Sequence, residues 1–300
     1  MQAMQRAFTA LQGTWIGDAF GGHFEFESVD WHRPERTAQT RQLPPTTWRY
    51  TDDTQMALSV YDVLRRHGRI IPKKLVTSFV EHFDISRGYG IGTEQLLLDI
   101  RAGGEWEALA QARFDGKGSA GNGSAMRVAP IGAHFAENLD AVVHNARQSA
   151  ITTHTHPEGI AGAIAVAVAT AFASTQQDTN KPFLESRYWE TIIANTPDSS
   201  VKDKLIDACN LASDCTSKQA AKQLGSGWDV LTTDTVPYAL WCAVKHVNSF
   251  EDAMWEAIRV GGDTDTVAAI VGGIVASHIG LNYLPKSWVE RCEPLPQWMV

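Results

Sequence analysis

Two long stretches of this chain, Gly159 to Ala173 and Val267 to Leu284, are built largely of Ala, Gly, Val and Ile. A helix that is apolar on all sides must be buried on all sides. The first stretch is shorter than the roughly 20 residues a bilayer core requires, and the second carries Ser277, His278 and Asn282, so neither reads as a membrane span. Both read as central helices of a large helical core, where small side chains let neighbouring backbones approach closely.

The residues just ahead of the second stretch are Gly261-Gly262-Asp263-Thr264-Asp265-Thr266, and a sister cluster, Thr51-Asp52-Asp53-Thr54, also stands directly before an apolar helical run. Asp and Thr commonly cap helices, where they satisfy free amides and suit the positive end of the dipole. Two caps, however, do not need four aspartates, and adjacent carboxylates repel. Every potential ligand in the two clusters is an oxygen, with no Lys or Arg inside either one. That chemistry suits a hard divalent cation such as Mg²⁺, Mn²⁺ or Ca²⁺. The expectation is a magnesium-type site closed by bringing residues 51–53 next to 263–266.

Met56, Ala57, Val60, Tyr61 and Leu64 recur at helical spacing, and Leu75, Val76, Phe79, Val80 and Phe83 repeat the pattern. Another helix is expected to begin at Ser249, with Asp252 closing a capping box, and to end at the glycine pair Gly261-Gly262. Sustained period-2 alternation is absent, so the chain reads as all-α. Segments 27–50 and 176–204 are polar and proline-bearing, which predicts surface connections or short helices. With no linker and no repeat of 20–50 residues, the 300 residues are expected to form one domain, 1–300.

A net charge of −8 provides no basic surface for a phosphate backbone, which argues against general nucleic-acid binding. The N-terminus lacks the pattern of a signal peptide, so a cytoplasmic location is expected. Cys209, Cys215, Cys242 and Cys292 show neither CxxC spacing nor a matched His pair, so no zinc site or disulfide framework is indicated. The sequence carries no sign of oligomeric state.

Gly116-Lys117-Gly118-Ser119-Ala120-Gly121 formally matches a dinucleotide fingerprint, but residues 110–115 do not read as the buried strand that motif requires. The longer run Gly118 to Arg127 reads better as a loop whose amides cradle a diphosphate. A second glycine-dense turn runs from Arg87 to Thr93. His154 and His156 resemble an HxH metal pair, yet Pro157-Glu158 read as the first residues of a helix, so capping or a hydrogen bond is expected there. Glu25 follows the glycine pair Gly21-Gly22, which can turn the chain towards a site.

Taken together, Gly17-Asp18-Ala19-Phe20-Gly21 with Glu25, Thr51-Asp52-Asp53-Thr54, the run Gly121 to Pro130, His154, and Gly261 to Thr266 resemble the motifs of the ADP-ribosylglycohydrolase family, relatives of the dinitrogenase reductase-activating glycohydrolase. They are spread over roughly residues 15 to 285. The resemblance implies a compact, orthogonal all-α bundle with two Mg²⁺ ions in a central cleft, Mn²⁺ being an alternative. It implies Thr51, Asp52, Asp53, Asp263, Asp265 and Thr266 as metal ligands. Gly118, Ser119, Gly121, Asn122, Gly123, Met126 and His154 would line an ADP-ribose pocket, and Glu25, with Asp53 and Asp265, would act on the scissile ribose and its water. Several family members carry an aromatic residue at the position of Ala120, so a ring surface for adenine would have to come from Tyr89 or Phe114.

The reaction this implies is hydrolysis at the ribose anomeric carbon of an ADP-ribosylated acceptor, through a cation-like transition state that needs a positioned water and charge control. Two other classes compete. One is a catalytically silent ADP-ribose-binding or crystallin-like relative, and the other is a magnesium hydrolase of a different phosphate-ribose compound.

Overall fold

Helix–helix packing at glycine contacts organises this molecule. In the computed structural model, which describes residues 2–25, 33–177 and 182–299, the first helix, Gln2–Gly21, lies antiparallel to the helix Thr264–Ile279. Gly13, Gly17 and Gly21 fall one turn apart and face Gly272, Ala268 and Thr264. A Cβ on Gly13 or Gly17 would lie 2.1 Å from the opposing carbonyl oxygen. Only glycine permits that approach. The pairing brings Asp18 on one helix level with the start of the other, where Asp263 and Asp265 stand.

The architecture is an all-α orthogonal multi-helix bundle, and the described residues contain no strand, only the isolated bridges Trp48 to Cys292 and Gly121 to Leu231. The apolar stretch around residues 159–173 is part of a longer helix, Pro157–Gln176, of 20 residues. That is long enough to cross a bilayer, but 83% of its apolar window is buried inside the protein. The second stretch does not continue to Leu284. Its helix stops at Ile279, because Gly280 takes φ +87, and a short 3₁₀ turn, Leu281–Tyr283, follows.

The two amphipathic runs form helices at Asp52–His67 and Pro72–His82. Ser249 caps Phe250–Ala257 through its side chain, as expected, but that helix ends at Ala257, one turn before the glycine pair. Gly261 and Gly262 have φ +73 and +94. They shape the entry to Thr264–Ile279, so their left-handed backbone serves the next helix. Within the polar segments, Arg33–Thr40, Glu185–Asn195 and Ser200–Cys209 are short helices, while residues 27–32 and 178–181 lie outside the described residues. Below the start of Thr264–Ile279, Phe20 packs against Trp48, Trp255 and Trp288 with ring centroids 5.5, 4.9 and 4.6 Å away. This apolar floor anchors the helix end that carries Asp18.

Candidate active site

Asp18 holds the first cluster in place. Fully buried, its carboxylate accepts from the Thr51 amide at 3.0 Å, the Thr51 hydroxyl at 2.8 Å, the Thr54 amide at 3.0 Å and the Thr54 hydroxyl. Burial raises its acid to about 6 against the pull of these four bonds. Thr51 in turn caps Asp52–His67 by accepting from the Asp53 amide. One residue on the first helix thus clamps the start of another 33 residues further on, the turn that carries Asp52 and Asp53.

Asp263 occupies the N-cap position of Thr264–Ile279 but makes no capping bond with its side chain. Capping therefore does not explain it. Its Oδ2 instead accepts from Asn122 Nδ2 at 2.5 Å, and Asn122 also reaches Thr235 Oγ1 at 2.9 Å. Carboxylate oxygens of Glu25, Asp263 and Asp265 lie within 4.8 Å of one another. Glu25, Asp52, Asp53, Asp263, Asp265 and Thr266 all line one cavity of about 620 Å³. Thr51 does not line it, since its hydroxyl is engaged by Asp18 and lies 3.2 Å from Asp53 Oδ2.

The electrostatics of this end are unbalanced. Burial first, then Asp18 and Asp263, hold Asp52 well above the usual carboxylate range; burial, Asp18 and Asp52 do the same to Asp53; burial, Asp263 and Asp53 do it to Asp265. Glu25, exposed at the rim, is pushed to about 7 by burial of its carboxyl and by Asp263 and Asp18. Among the described residues no Lys or Arg forms an ion pair with Asp52, Asp53, Asp263 or Asp265. Asp53 Oδ1 is buried and has no hydrogen-bond partner among them. An orphaned oxygen among mutually repelling carboxylates fits a hard divalent cation, and the all-oxygen donor set disfavours a thiophilic one.

The far end of the same cavity is the glycine loop. Gly118, Ser119, Gly121, Asn122, Gly123, Met126 and His154 all line it. The loop is tethered rather than loose: the Ala120 carbonyl accepts from the Thr232 amide and hydroxyl at 3.1 and 2.9 Å, the Asn122 amide donates to Val230 at 3.1 Å, and Ser124 Oγ donates to Gly159 at 2.7 Å. The Ser119 and Ala120 amides donate to no group among the described residues. That leaves them available for an anion. The segment preceding the loop is a helix, Trp106–Ala112, so the dinucleotide-fingerprint reading lacks its strand. His156 caps Pro157–Gln176 by accepting from the Glu158 amide, and His154 is buried with Nδ1 against Thr153.

For a ring surface, Tyr89 is unavailable: it is buried and its hydroxyl donates to Gln55. Phe114 is 60% exposed and lines the cavity from a backbone at φ +50. Asp18 went without a role at the level of sequence, and so did the loop Asp229-Val230-Leu231, which closes one wall. Val230 in that loop is exposed and sits at φ +56, a conformation β-branched residues rarely take and one that no sequence pattern announces. A larger, more open groove of about 1010 Å³ elsewhere on the surface contains none of the predicted site residues, and its wall carries the Arg41–Asp252 ion pair.

A family model described as ADP-ribosylglycohydrolase matches residues 1–300. The chain is similar to the human "ADP-ribosylhydrolase ARH3", 29% identical over 332 residues covering 97% of this chain and 90% of that protein. It is also similar to the mouse protein of the same name, 30% identical over 97% of this chain and 88% of that one. "ADP-ribosylarginine hydrolase Tri1" of Pseudomonas putida is 28% identical over 97% of this chain and 75% of its own length. A solved structure described as "ADP-ribosylglycohydrolase-related protein complex" superposes with a TM-score of 0.68 at 24% identity, covering 97% of this chain and 93% of that one, which speaks to fold.

Proposed function

The chain belongs to the ADP-ribosylglycohydrolase family, and from that premise we propose that residues 1–300 act as one Mg²⁺-dependent hydrolase domain that releases ADP-ribose from an ADP-ribosylated side chain or small molecule. The observation that carries this reading is Asn122. Through its bonds to Asp263 and Thr235 it joins a cradle with free amides to a pocket of repelling carboxylates, in one cavity. A diphosphate and a ribose need those two environments side by side.

Asp52, Asp53, Asp263, Asp265 and Thr266, which line the cavity, would hold two Mg²⁺ ions, with Mn²⁺ as substitute, and Thr51 would serve them by capping the helix that carries Asp52 and Asp53. Bound there, the metal supplies positive charge against the aspartates and Lewis acidity toward ribose and water oxygens. The protein's own groups do the rest. Amides of Ser119 and Ala120 bind the diphosphate, whose binding energy is remote from the reacting carbon and so goes into orientation. Phe114 offers its ring face to the base. Glu25 stands at the rim beside Asp263 and Asp265, where it takes the proton from the attacking water.

The test is release of ADP-ribose from ADP-ribosyl-serine, ADP-ribosyl-arginine and O-acetyl-ADP-ribose, before and after EDTA. Turnover of at least one substrate that EDTA abolishes and Mg²⁺ restores supports the reading. Tight ADP-ribose binding without hydrolysis of any of them would replace it with a silent binding protein.

A further inference from the structure

Behind the diphosphate cradle lies Arg127, which is fully buried and forms no ion pair with a carboxylate among the described residues. Its Nη1 donates to the Gly123 carbonyl at 3.0 Å. Its Nη2 donates to the Ser149 carbonyl at 2.8 Å and to the hydroxyls of Thr152 and Thr153 at 3.2 and 3.0 Å. The guanidinium also sits 4.8 Å from the Phe79 ring centre. A guanidinium can only donate, so Thr153 Oγ1 is its acceptor.

The same oxygen lies 2.6 Å from His154 Nδ1. Thr153 is buried, and its single hydroxyl hydrogen has Nδ1 as the acceptor within reach among the described residues. Were Nδ1 protonated, the Thr153 oxygen would accept from both Arg127 and Nδ1, and its own hydrogen would be left in the core without an acceptor among the described residues, a costly arrangement. We infer that Arg127 and Thr153 form a relay that locks His154, already placed in the pocket wall, in the tautomer protonated on Nε2, so that the ring meets a bound ligand as an N–H donor.

The direction of the ring supports the second half. A Cβ on Gly121 would stand 3.3 Å from Nε2 and one on Gly123 3.2 Å from it, so the Nε2 edge faces the glycine loop. Ser119 and Ala120, whose amides have no acceptor among the described residues, line the same cavity. Burial first, and then the Arg127 charge, hold the His154 ring down to about 3, so it stays a neutral donor through the physiological range. Arg127 and Thr153 are positioning residues. The ligand half rests on the ADP-ribose reading above, while the relay does not.

Long-range ¹H–¹⁵N correlation spectra of the free protein, with His154 assigned by comparison with His154→Gln, test the relay directly. The expected result is an unprotonated Nδ1 and a protonated Nε2. Thr153→Val, which removes the hydroxyl and keeps the shape, should mix the tautomers and raise KM about tenfold with kcat little changed, and Thr153→Ser should restore both. A wild-type Nδ1–H tautomer, or Thr153→Val with unaltered tautomer and KM, overturns the relay. The locked tautomer together with no ADP-ribose binding by calorimetry overturns the functional reading and its ligand instead, and leaves the relay supported.

Discussion

Two buried carboxylate environments in this molecule are balanced in opposite ways. Glu256 is 5% exposed and has partners from its own chain: the Ser217 hydroxyl at 2.6 Å, Lys245 and His246 each at 3.3 Å, and Arg259 at 3.4 Å. Burial pushes its acid up, but these bonds and charges outweigh burial and bring it down to about 2. Asp52, Asp53 and Asp265 are buried as deeply, and their neighbours are more carboxylates, which drive all three up. The contrast separates two uses of one functional group. Glu256 holds the fold with cations of its own chain, whereas a cluster kept for a ligand leaves its charge for something outside the chain to neutralise.

Substitution separates them most sharply. Asp53→Ala and Asp265→Ala are each expected to lower kcat/KM for ADP-ribosyl hydrolysis by about 10²-fold or more, since each removes a group that organises catalytic charge. Thermal melting of the metal-free variants should show no loss of stability, because each also removes a source of repulsion. Near-normal turnover in both variants would take these residues out of the site.

Glu256→Ala should do the reverse. Leaving Lys245, His246 and Arg259 without their partner is expected to lower stability by about 2 kcal/mol, below the full cost of breaking a buried pair because those three side chains are partly exposed. Urea unfolding measures the loss, and assays on the remaining folded protein should give an unchanged kcat. A fall in kcat with stability intact would mean that the two regions are coupled.

The smallest effect is on pH dependence. The folded pKa of Glu256 lies below its unfolded value, so its stabilisation is present above about pH 4.5 and is lost as pH falls towards 2. The acidic cluster has the other sign in chelated protein. Its folded pKa values are raised, so stability falls as pH rises through the range in which those groups ionise. Unfolding free energy of the EDTA-treated protein should therefore decline on both sides of a mildly acidic optimum, and Mg²⁺ should flatten the alkaline side only. A metal-free stability that climbs steadily from pH 6 to 8 would contradict the cluster's part.

Sequence reveals this site unevenly, for physical reasons. The starts of Asp52–His67 and Thr264–Ile279 are visible because Thr and Asp ahead of apolar periodicity mark helix N-termini, and the demand for a cation is visible because four aspartates exceed what capping uses. The end of Phe250–Ala257 is misread because a glycine pair signals positive φ without saying which neighbouring helix needs it. Asp18 and Thr153 leave no periodic trace, since their roles lie in single hydrogen bonds to Thr51, Thr54, Arg127 and His154 that only the folded chain brings together. Val230 closes the cavity from a loop with no pattern to detect.

The claim on which the rest depends is that the aspartates of 52–53 and 263–265 make a site that a divalent cation completes. Titration of Mg²⁺ into EDTA-treated protein, followed by thermal or urea unfolding of the wild type and of the Asp53→Asn/Asp265→Asn double variant, addresses it most directly. The account predicts wild-type stabilisation that grows with the logarithm of Mg²⁺ concentration, reaching about 2.7 kcal/mol at a hundred times Kd, and none in the double variant. Equal stabilisation of both proteins, or of neither, would contradict it.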